Sequence, residues 1–458
     1  MTSPPSLSVE QLRAAVDAGE IDTVVVGFTD MQGRLQGKRV HARHFLDTVL
    51  EHGTEGCNYL LAVDVEMNTV AGYQVASWES GYGDMMFDLD LSTLCRTPGQ
   101  RYSATVHCDL RWPPGAAATG PVVQAPRSVL RAQLEEAAEL GFLAYCGTEL
   151  EFIVFEDGYD EAWDRRYHGL RSANRYNVDY SIMGGGRVEP LLRTIRNEMT
   201  TAGLRVEAAK GECNPGQHEI TFVYDEALRA CDNHVLYKNG AKEIAAAAGQ
   251  SLTFMAKYDE NEGNSCHLHL SLRGADGSFV FADPDRSGGR SEVFEKFLAG
   301  VLATLAELSY FYAPNINSYK RFADGSFAPT AVAWGTDNRT CALRVVGQGA
   351  GLRVENRLPG GDVNPYLAVA AMLAGGLHGI REGLTLPNEC TGNAYTAGLP
   401  RVPATLTEAR ALLAESTIAR QAFGDDVIDH YLNAADVEIA AFNAAVTDWE
   451  RVRGFERL

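Results

Sequence analysis

The chain has 458 residues, 45% hydrophobic and 22% charged, a composition that excludes disorder and, at this length, calls for two domains or one large one. Its formal charge of −20 argues against nucleic acid or an anionic membrane as partner, because phosphate binders concentrate Lys and Arg. Nine scattered cysteines without a CxxC pair fit free thiols in a reducing cytoplasm better than a disulfide framework or a zinc site.

Residues 1–6 form a polar lead with neither a basic start nor an apolar run, so no signal peptide is expected. Val9 to Ala18 has helical periodicity. Thr23 to Phe28 reads as a strand, turned by Asp30-Met31-Gln32-Gly33 into Arg34 to Val40. A small β-rich unit follows and ends with Ala104 to Leu110. Trp112 to Pro121, rich in Pro, Gly and Ala, is the best linker and places a domain boundary there, with one domain over 1–117 and a second over 118–458. Beyond it, Arg127 to Leu140 reads as helix, Leu143 to Glu156 contains a strand, and Pro190 to Ala202 is helical. Glu219 to Tyr224 reads as strand and Asp225 to Ala248 as a long Ala-rich helix. His267 to Leu272 and Cys341 to Val346 are further strands. Pro365 to Ile380 is too short to span a membrane and reads as a packed helix, and the tail from Thr405 is helical. The order lacks the regular βα repeat of a doubly wound sheet, so the class is α+β. Gly184-Gly185-Gly186 and Gly347 to Gly351 match no nucleotide-binding fingerprint and read as loops.

Acids and imidazoles recur at one-face spacing in four places. These are Glu149 and Glu151, Glu212 with Glu219, His267 with His269, and Glu355 between Arg353 and Arg357. Alternate side chains of a strand share a face, so Glu149 and Glu151 would repel unless a cation lay between them. Each piece alone has a bland reading: a solvated Glu pair, or two hydrogen-bonded imidazoles. Together they make an oxygen-rich donor set that favours Mg²⁺ or Mn²⁺ over zinc. Two such ions would neutralise an ATP tail and polarise its γ-phosphoryl group while arginines stabilise the charge in transfer. The reaction class is phosphoryl transfer from ATP.

Over nearly its full length the chain resembles glutamine synthetases. The resemblance is carried by Gly147-Thr148-Glu149-Leu150-Glu151-Phe152, Pro215-Gly216-Gln217-His218-Glu219, and Cys266 to Ser271. It continues through Asn317 to Arg321, Asn338 to Arg344, Arg353 to Pro359, and Asn364-Pro365-Tyr366, in the family's order. It implies an N-terminal β-grasp domain and a catalytic domain on a curved antiparallel sheet. It also implies a cytoplasmic homo-oligomer, a dodecamer of two hexameric rings with each active site between neighbouring subunits. By the same resemblance Glu151, Glu212 and Glu219 would bind one Mg²⁺ or Mn²⁺, and Glu149, His267 and Glu355 another. Glu207, His269, Ser271 and Arg353 would hold ATP. Arg339 and Arg344 would act on its phosphates and on the phosphoryl group in flight. Arg321 and Arg357, with Arg339 and the backbone at Gly263, would grip glutamate. The γ-carboxylate would be activated as an acyl phosphate, and an amine would then form the amide.

Departures from the family pattern lie on the amine side. Ammonia-using relatives carry a glutamate in the flap after the Tyr-Lys-Arg motif, and here Phe327 stands at that position. Losing a carboxylate removes a cation partner and a base, and gaining a ring adds apolar surface. Asp64 and Asp84, reaching in from the adjacent subunit, are the remaining candidates for deprotonating the amine. Glu262 stands where relatives carry an asparagine near the substrate's α-amino group. The loop from Gly392 to Gly398 is a poor counterpart of the adenylylated tyrosine loop. The combination resembles the γ-glutamyl-amine ligase branch, ethanolamine being the leading amine. A polyamine ligase, an ammonia-using glutamine synthetase and a structural relative stay open as alternatives. A guanidino kinase on a related sheet would need no glutamate-gripping arginines.

Overall fold

The structure is a computed structural model that describes residues 7–458; the polar lead, on which the signal-peptide expectation rests, lies outside the described residues. Two sheets organise the chain. The first consists of β1 (Thr23–Thr29), β2 (Leu35–His41), β3 (Thr54–Cys57), β4 (Asp84–Leu89), β5 (Cys95–Arg96) and β6 (Ser103–Arg111). Their order is β2-β1-β6-β4-β3, with β5 on β6, and β1 runs parallel to β6. The β1–β2 turn forms where expected. Buried Asp30 accepts the backbone N–H groups of Gln32 and Arg34 and the Arg34 Nε–H, while Gly33 takes a φ of +76°.

The second sheet has β7 (Phe142–Phe155) as its spine, with β8 (Val206–Gly211), β9 (Gln217–Phe222), β10 (Asp225–Glu226), β11 (Ser251–Thr253) and β12 (Cys266–Gly274). β13 (Trp334–Thr336), β14 (Leu343–Val346) and β15 (Arg353–Asn356) complete it. The order is β13-β14-β15-β12-β7-β9-β8, with β10 and β11 also on β7, and every pairing but β13 with β14 is antiparallel. This curved sheet with flanking helices is the expected α+β class. The register sets the chemistry: Glu151 lies opposite Glu219, Glu149 opposite His267, and Glu355 opposite both His269 and Arg344. A one-residue slip would turn every one of these groups to the other face.

Helices close the core. Asn364 caps Pro365–Arg381 by accepting the Tyr366 N–H, and the buried helix crosses Glu292–Thr304. Gly300 and Gly379 face each other there, where a Cβ on either would collide with the opposing backbone. Between the sheets sits Arg127 on the helix Pro126–Glu139, 3% exposed. It donates to Asp232 at 3.0 Å, Asp109 at 2.7 Å and Asp90 at 2.6 Å, joining the N-terminal sheet to the helix Ala227–Ala247. Asp232 also accepts the Tyr366 hydroxyl at 2.6 Å. Burial raises the Asp232 carboxyl, but the Arg127 charge outweighs it and holds the group at about 2.

Several expectations are corrected. Gly184 and Gly185 lie in a short helix, Ile182–Gly185, capped by Ser181, rather than in a loop. Asp225 and Glu226 pair with β7 before the long helix begins at Ala227. As expected, all nine cysteines are free thiols. Among the described residues no helix is long and apolar enough to cross a membrane.

Candidate active site

Adjacent strands of the second sheet present two cavities that share the wall of Glu149, Glu207 and Thr221. The larger, about 570 Å³, is lined by Glu151, Glu212, Glu219, His267, Arg339, Arg344, Arg357 and Phe327 among others. The smaller, about 300 Å³, is lined by Glu207, His269, Ser271, Arg353, Tyr145, Tyr224 and Arg273.

Carboxylate oxygens of Glu151, Glu212 and Glu219 lie within 4.8 Å of one another. Glu219 is 4% exposed, and burial, followed by the charges of Glu149 and Glu151, pushes its carboxyl up to about 8. Glu151 is fixed by the Ser265 N–H at 2.6 Å and the Gln217 side-chain amide at 3.1 Å. Three crowded carboxylates with no imidazole or thiolate among them fit a hard divalent cation such as Mg²⁺ or Mn²⁺. Glu149, His269 and Glu355 form a second such group, also within 4.8 Å. His267 Nδ1 sits between the two acids, 3.3 Å from Glu149 and 3.6 Å from Glu355. Both imidazoles therefore face the second position, where the sequence reading had placed only His267. Burial alone would raise the Glu149 carboxyl, yet hydrogen bonds to His267 and His269 hold it well below the usual range.

Arginines frame these acids. Arg344 pairs with Glu355 at 2.8 Å and with Asp337, and Arg357 pairs with the other oxygen of Glu355. Arg353 donates from Nε to His269 Nδ1 at 3.1 Å, which fixes the orientation of that imidazole. Arg339 is exposed on the cavity wall and makes no hydrogen bond or ion pair among the described residues, so its guanidinium is free for an anion.

Arg321 departs from expectation. It is 2% exposed, and its guanidinium is committed to the Leu358 carbonyl at 2.8 Å and the Ser265 hydroxyl at 3.1 Å. It packs under Gly263, where a Cβ would strike it, and is absent from the cavity lining. Its stem shapes the floor under the Gly263 backbone. The Gly263 carbonyl is itself fixed by the Gln217 amide at 2.9 Å.

Phe327 stands on the cavity rim, 57% exposed, with a left-handed φ of +58° that is rare for a bulky residue. Asp64 and Asp84 are not brought to this cavity within one protomer. Asp64 is engaged by the Asn68 backbone N–H at 2.8 Å and its side-chain amide at 3.0 Å, beside Tyr73 and Glu438. Asp84 is exposed at the start of β4. Glu262 does line the cavity, as do Asp179, Tyr180 and Lys210, which sequence reasoning missed. It also missed Tyr145, Tyr224 and Arg273. The Arg273 guanidinium lies 4.2 Å from the Tyr145 ring centre and 5.7 Å from that of Tyr224, and the two rings meet edge to face at 79°, a cationic and aromatic wall suited to a base.

The family described as glutamine synthetase, catalytic domain, matches residues 123–453. The chain is 64% identical to gamma-glutamylethanolamide synthetase of Streptomyces coelicolor, over 99% of this chain and 97% of that one. It is 38% identical to glutamate–isopropylamine ligase of a Pseudomonas species, over 99% of each. Among solved structures, a GmaS–ADP complex superposes with a TM-score of 0.84 at 26% identity, covering 97% of this chain and 99% of that one.

Proposed function

The chain belongs to the glutamine synthetase family, and from that premise we propose that it is an ATP-dependent ligase joining the γ-carboxylate of glutamate to a primary organic amine, ethanolamine first. The observation that carries the amine choice is Phe327 on the rim of the acid-lined cavity. An apolar ring there gives a carbon skeleton something to bury, whereas ammonium loses the carboxylate partner of ammonia-using relatives and keeps only a weak contact with the ring face. Two relatives, one named for an ethanolamide product and one for an isopropylamine substrate, support the same reading.

The smaller cavity suits the nucleotide, its base against Tyr145, Tyr224 and Arg273, with Glu207, His269, Ser271 and Arg353 around it. Glu151, Glu212 and Glu219 would hold one Mg²⁺ or Mn²⁺, and Glu149, Glu355, His267 and His269 are the donors for a second. Bound divalent ions supply charge neutralisation of the phosphates and polarise the γ-phosphoryl group. Arg339, being free, meets the transferring phosphoryl and a glutamate carboxylate, while Arg344 and Arg357 add positive charge beside it. A γ-carboxylate oxygen attacks the γ-phosphorus and ADP leaves. The amine nitrogen then attacks the acyl carbon, gives up a proton, and phosphate departs. Asp64 or Asp84 of an adjacent protomer would take that proton, in a dodecamer of two hexameric rings whose β-grasp domain, 1–117, completes the site on the catalytic domain, 118–458. We place the enzyme in the cytoplasm.

The test is phosphate release from Mg²⁺-ATP and glutamate with ammonium, methylamine, ethanolamine, isopropylamine, putrescine or spermidine. Turnover confined to organic amines, best with ethanolamine, is expected. Best turnover with ammonium would make the protein an ordinary glutamine synthetase, and best turnover with a diamine would move it to polyamines. No Mg²⁺-ATP binding at all would favour a structural relative.

A further inference from the structure

A further cavity of about 590 Å³ shares no lining residue with the two described above, and the reaction gives it no part. It opens between the β1–β2 turn, the helix Ala227–Ala247 and the end of β11. Val235, Lys238, Asn239 and Lys242 line it from the helix, and their spacing puts them on one face. Like charges four residues apart on a helix repel, so Lys238 and Lys242 carry a cost that a counter-charge in the cavity removes. Lys238 is half-buried and spends one N–H on the Gly361 carbonyl at 2.7 Å, which leaves two donors unused. Lys242 is exposed and makes no hydrogen bond or ion pair among the described residues. The Phe254 ring gathers both heads, its centre 5.6 Å from the first Nζ and 5.8 Å from the second. Packing around Lys238, followed by the charge of Lys242, pushes its ammonium down to about 8.

The other charged groups on this wall are engaged elsewhere. Arg34 is committed to Asp30 and to the Val65 carbonyl, each at 2.7 Å. Asp362 offsets Lys238 in part, while its Oδ2 accepts Asn315 at 2.9 Å and Ser318 at 2.6 Å. Glu438, on the helix Asp425–Ala444, stands with Asp64 and Glu66 rather than with Lys242. Unspent positive charge is therefore concentrated at the two lysines. Met255 and Val65, 44% and 48% exposed, add uncovered apolar surface to the same cavity. We propose that this cavity binds a small organic anion, a carboxylate or a phosphate ester, with its charged head on Lys238 and Lys242 and its carbon body against Met255 and Val65. A few convergent cations in a partly apolar cavity are the features by which such ligands are recognised. The proposal does not depend on the ligase reading. Lysines serving the fold alone, through the Gly361 carbonyl and the Phe254 ring, would show no affinity for an anion.

The experiment titrates the full-length protein, in whatever assembly it forms, with phenyl phosphate, phenylacetate, inorganic phosphate and neutral benzyl alcohol by calorimetry. Each titration is run with and without Mg²⁺-ADP and glutamate. At least one aromatic anion is expected to bind once per protomer with the same Kd in both conditions, and the tighter of the two tells phosphate from carboxylate as the head. Inorganic phosphate should bind more weakly than phenyl phosphate, and benzyl alcohol not at all. Lys242→Met should weaken the tighter anion about tenfold, the worth of one charge-assisted hydrogen bond. Lys242→Glu should abolish binding and Lys242→Arg should keep it. Lys242 is exposed, and thermal melts check that each variant folds. Absence of binding by both aromatic anions overturns the proposal, as does binding indifferent to Lys242→Met and Lys242→Glu. Displacement by Mg²⁺-ADP and glutamate would put the probe in the reaction cavities and overturn it too, and benzyl alcohol binding as tightly as the anions would remove the role of charge.

Discussion

Replacing Arg127 with Met tests whether the two sheets are fastened by one buried cation. The side chain is 3% exposed and donates to three carboxylates. Two of these, Asp90 and Asp109, keep Arg131 at 3.0 and 2.9 Å and are themselves partly exposed, so their loss is small. Asp232 is 2% exposed and would keep only the Tyr366 hydroxyl among the hydrogen bonds described above. An uncompensated buried charge costs about 3–5 kcal/mol, and that is the loss expected at pH 7. The sign with pH follows from Asp232. Its wild-type carboxyl is held at about 2, below the ordinary 3.8. Its stabilising contribution is therefore full above that ordinary value and fades as pH falls toward 2. In the variant the Tyr366 hydroxyl offsets burial far less than the lost guanidinium did, the carboxyl rises, and protonation removes the penalty, so the deficit at pH 5 should be smaller than at pH 7. Urea unfolding followed by tryptophan fluorescence, with recovery on dilution checked, measures both. Adding Asp232→Asn to the variant should recover part of the loss. A deficit below about 1 kcal/mol, or one indifferent to pH, would refute the reasoning.

Glu219→Gln should reduce Mn²⁺ stoichiometry by one per protomer in a resonance titration, since it removes one of three crowded carboxylates. Arg339→Ala should lower kcat for phosphate release by about 10²-fold, with a smaller change in ATP Kd, because its free guanidinium is assigned to the charge of the transition state. Arg273→Ala should weaken ATP binding by about 1 kcal/mol in a calorimetric titration by removing the cation beside Tyr145 and Tyr224. Phe327→Glu should cost ethanolamine kcat/KM about fivefold, since two methylenes lose a half-exposed ring, while ammonium is spared.

The acids of the site were legible because strand alternation puts Glu149 with Glu151 and His267 with His269 on one face, whatever the tertiary structure. The partners were not. That Glu151 faces Glu219, or that Glu355 faces both His269 and Arg344, is fixed by strand register between distant segments. Arg321 shows the limit most clearly. Its motif gives the residue type, but that the guanidinium packs inward against a carbonyl and a hydroxyl is revealed by no local pattern. Tyr145, Tyr224 and Arg273 lie on different strands or at their ends and meet only through the sheet's curvature. Element limits shifted by a residue or two, as between Leu143 to Glu156 and the observed Phe142–Phe155, because terminal hydrogen bonds decide them.

Glu149, Glu207 and Thr221 face both cavities, and a partition with two sides cannot answer to one occupant alone. Whatever settles in either chamber resets the charge and shape its neighbour meets. Thermodynamic reciprocity then requires that the factor by which nucleotide tightens the acid substrate equal the factor by which that substrate tightens nucleotide.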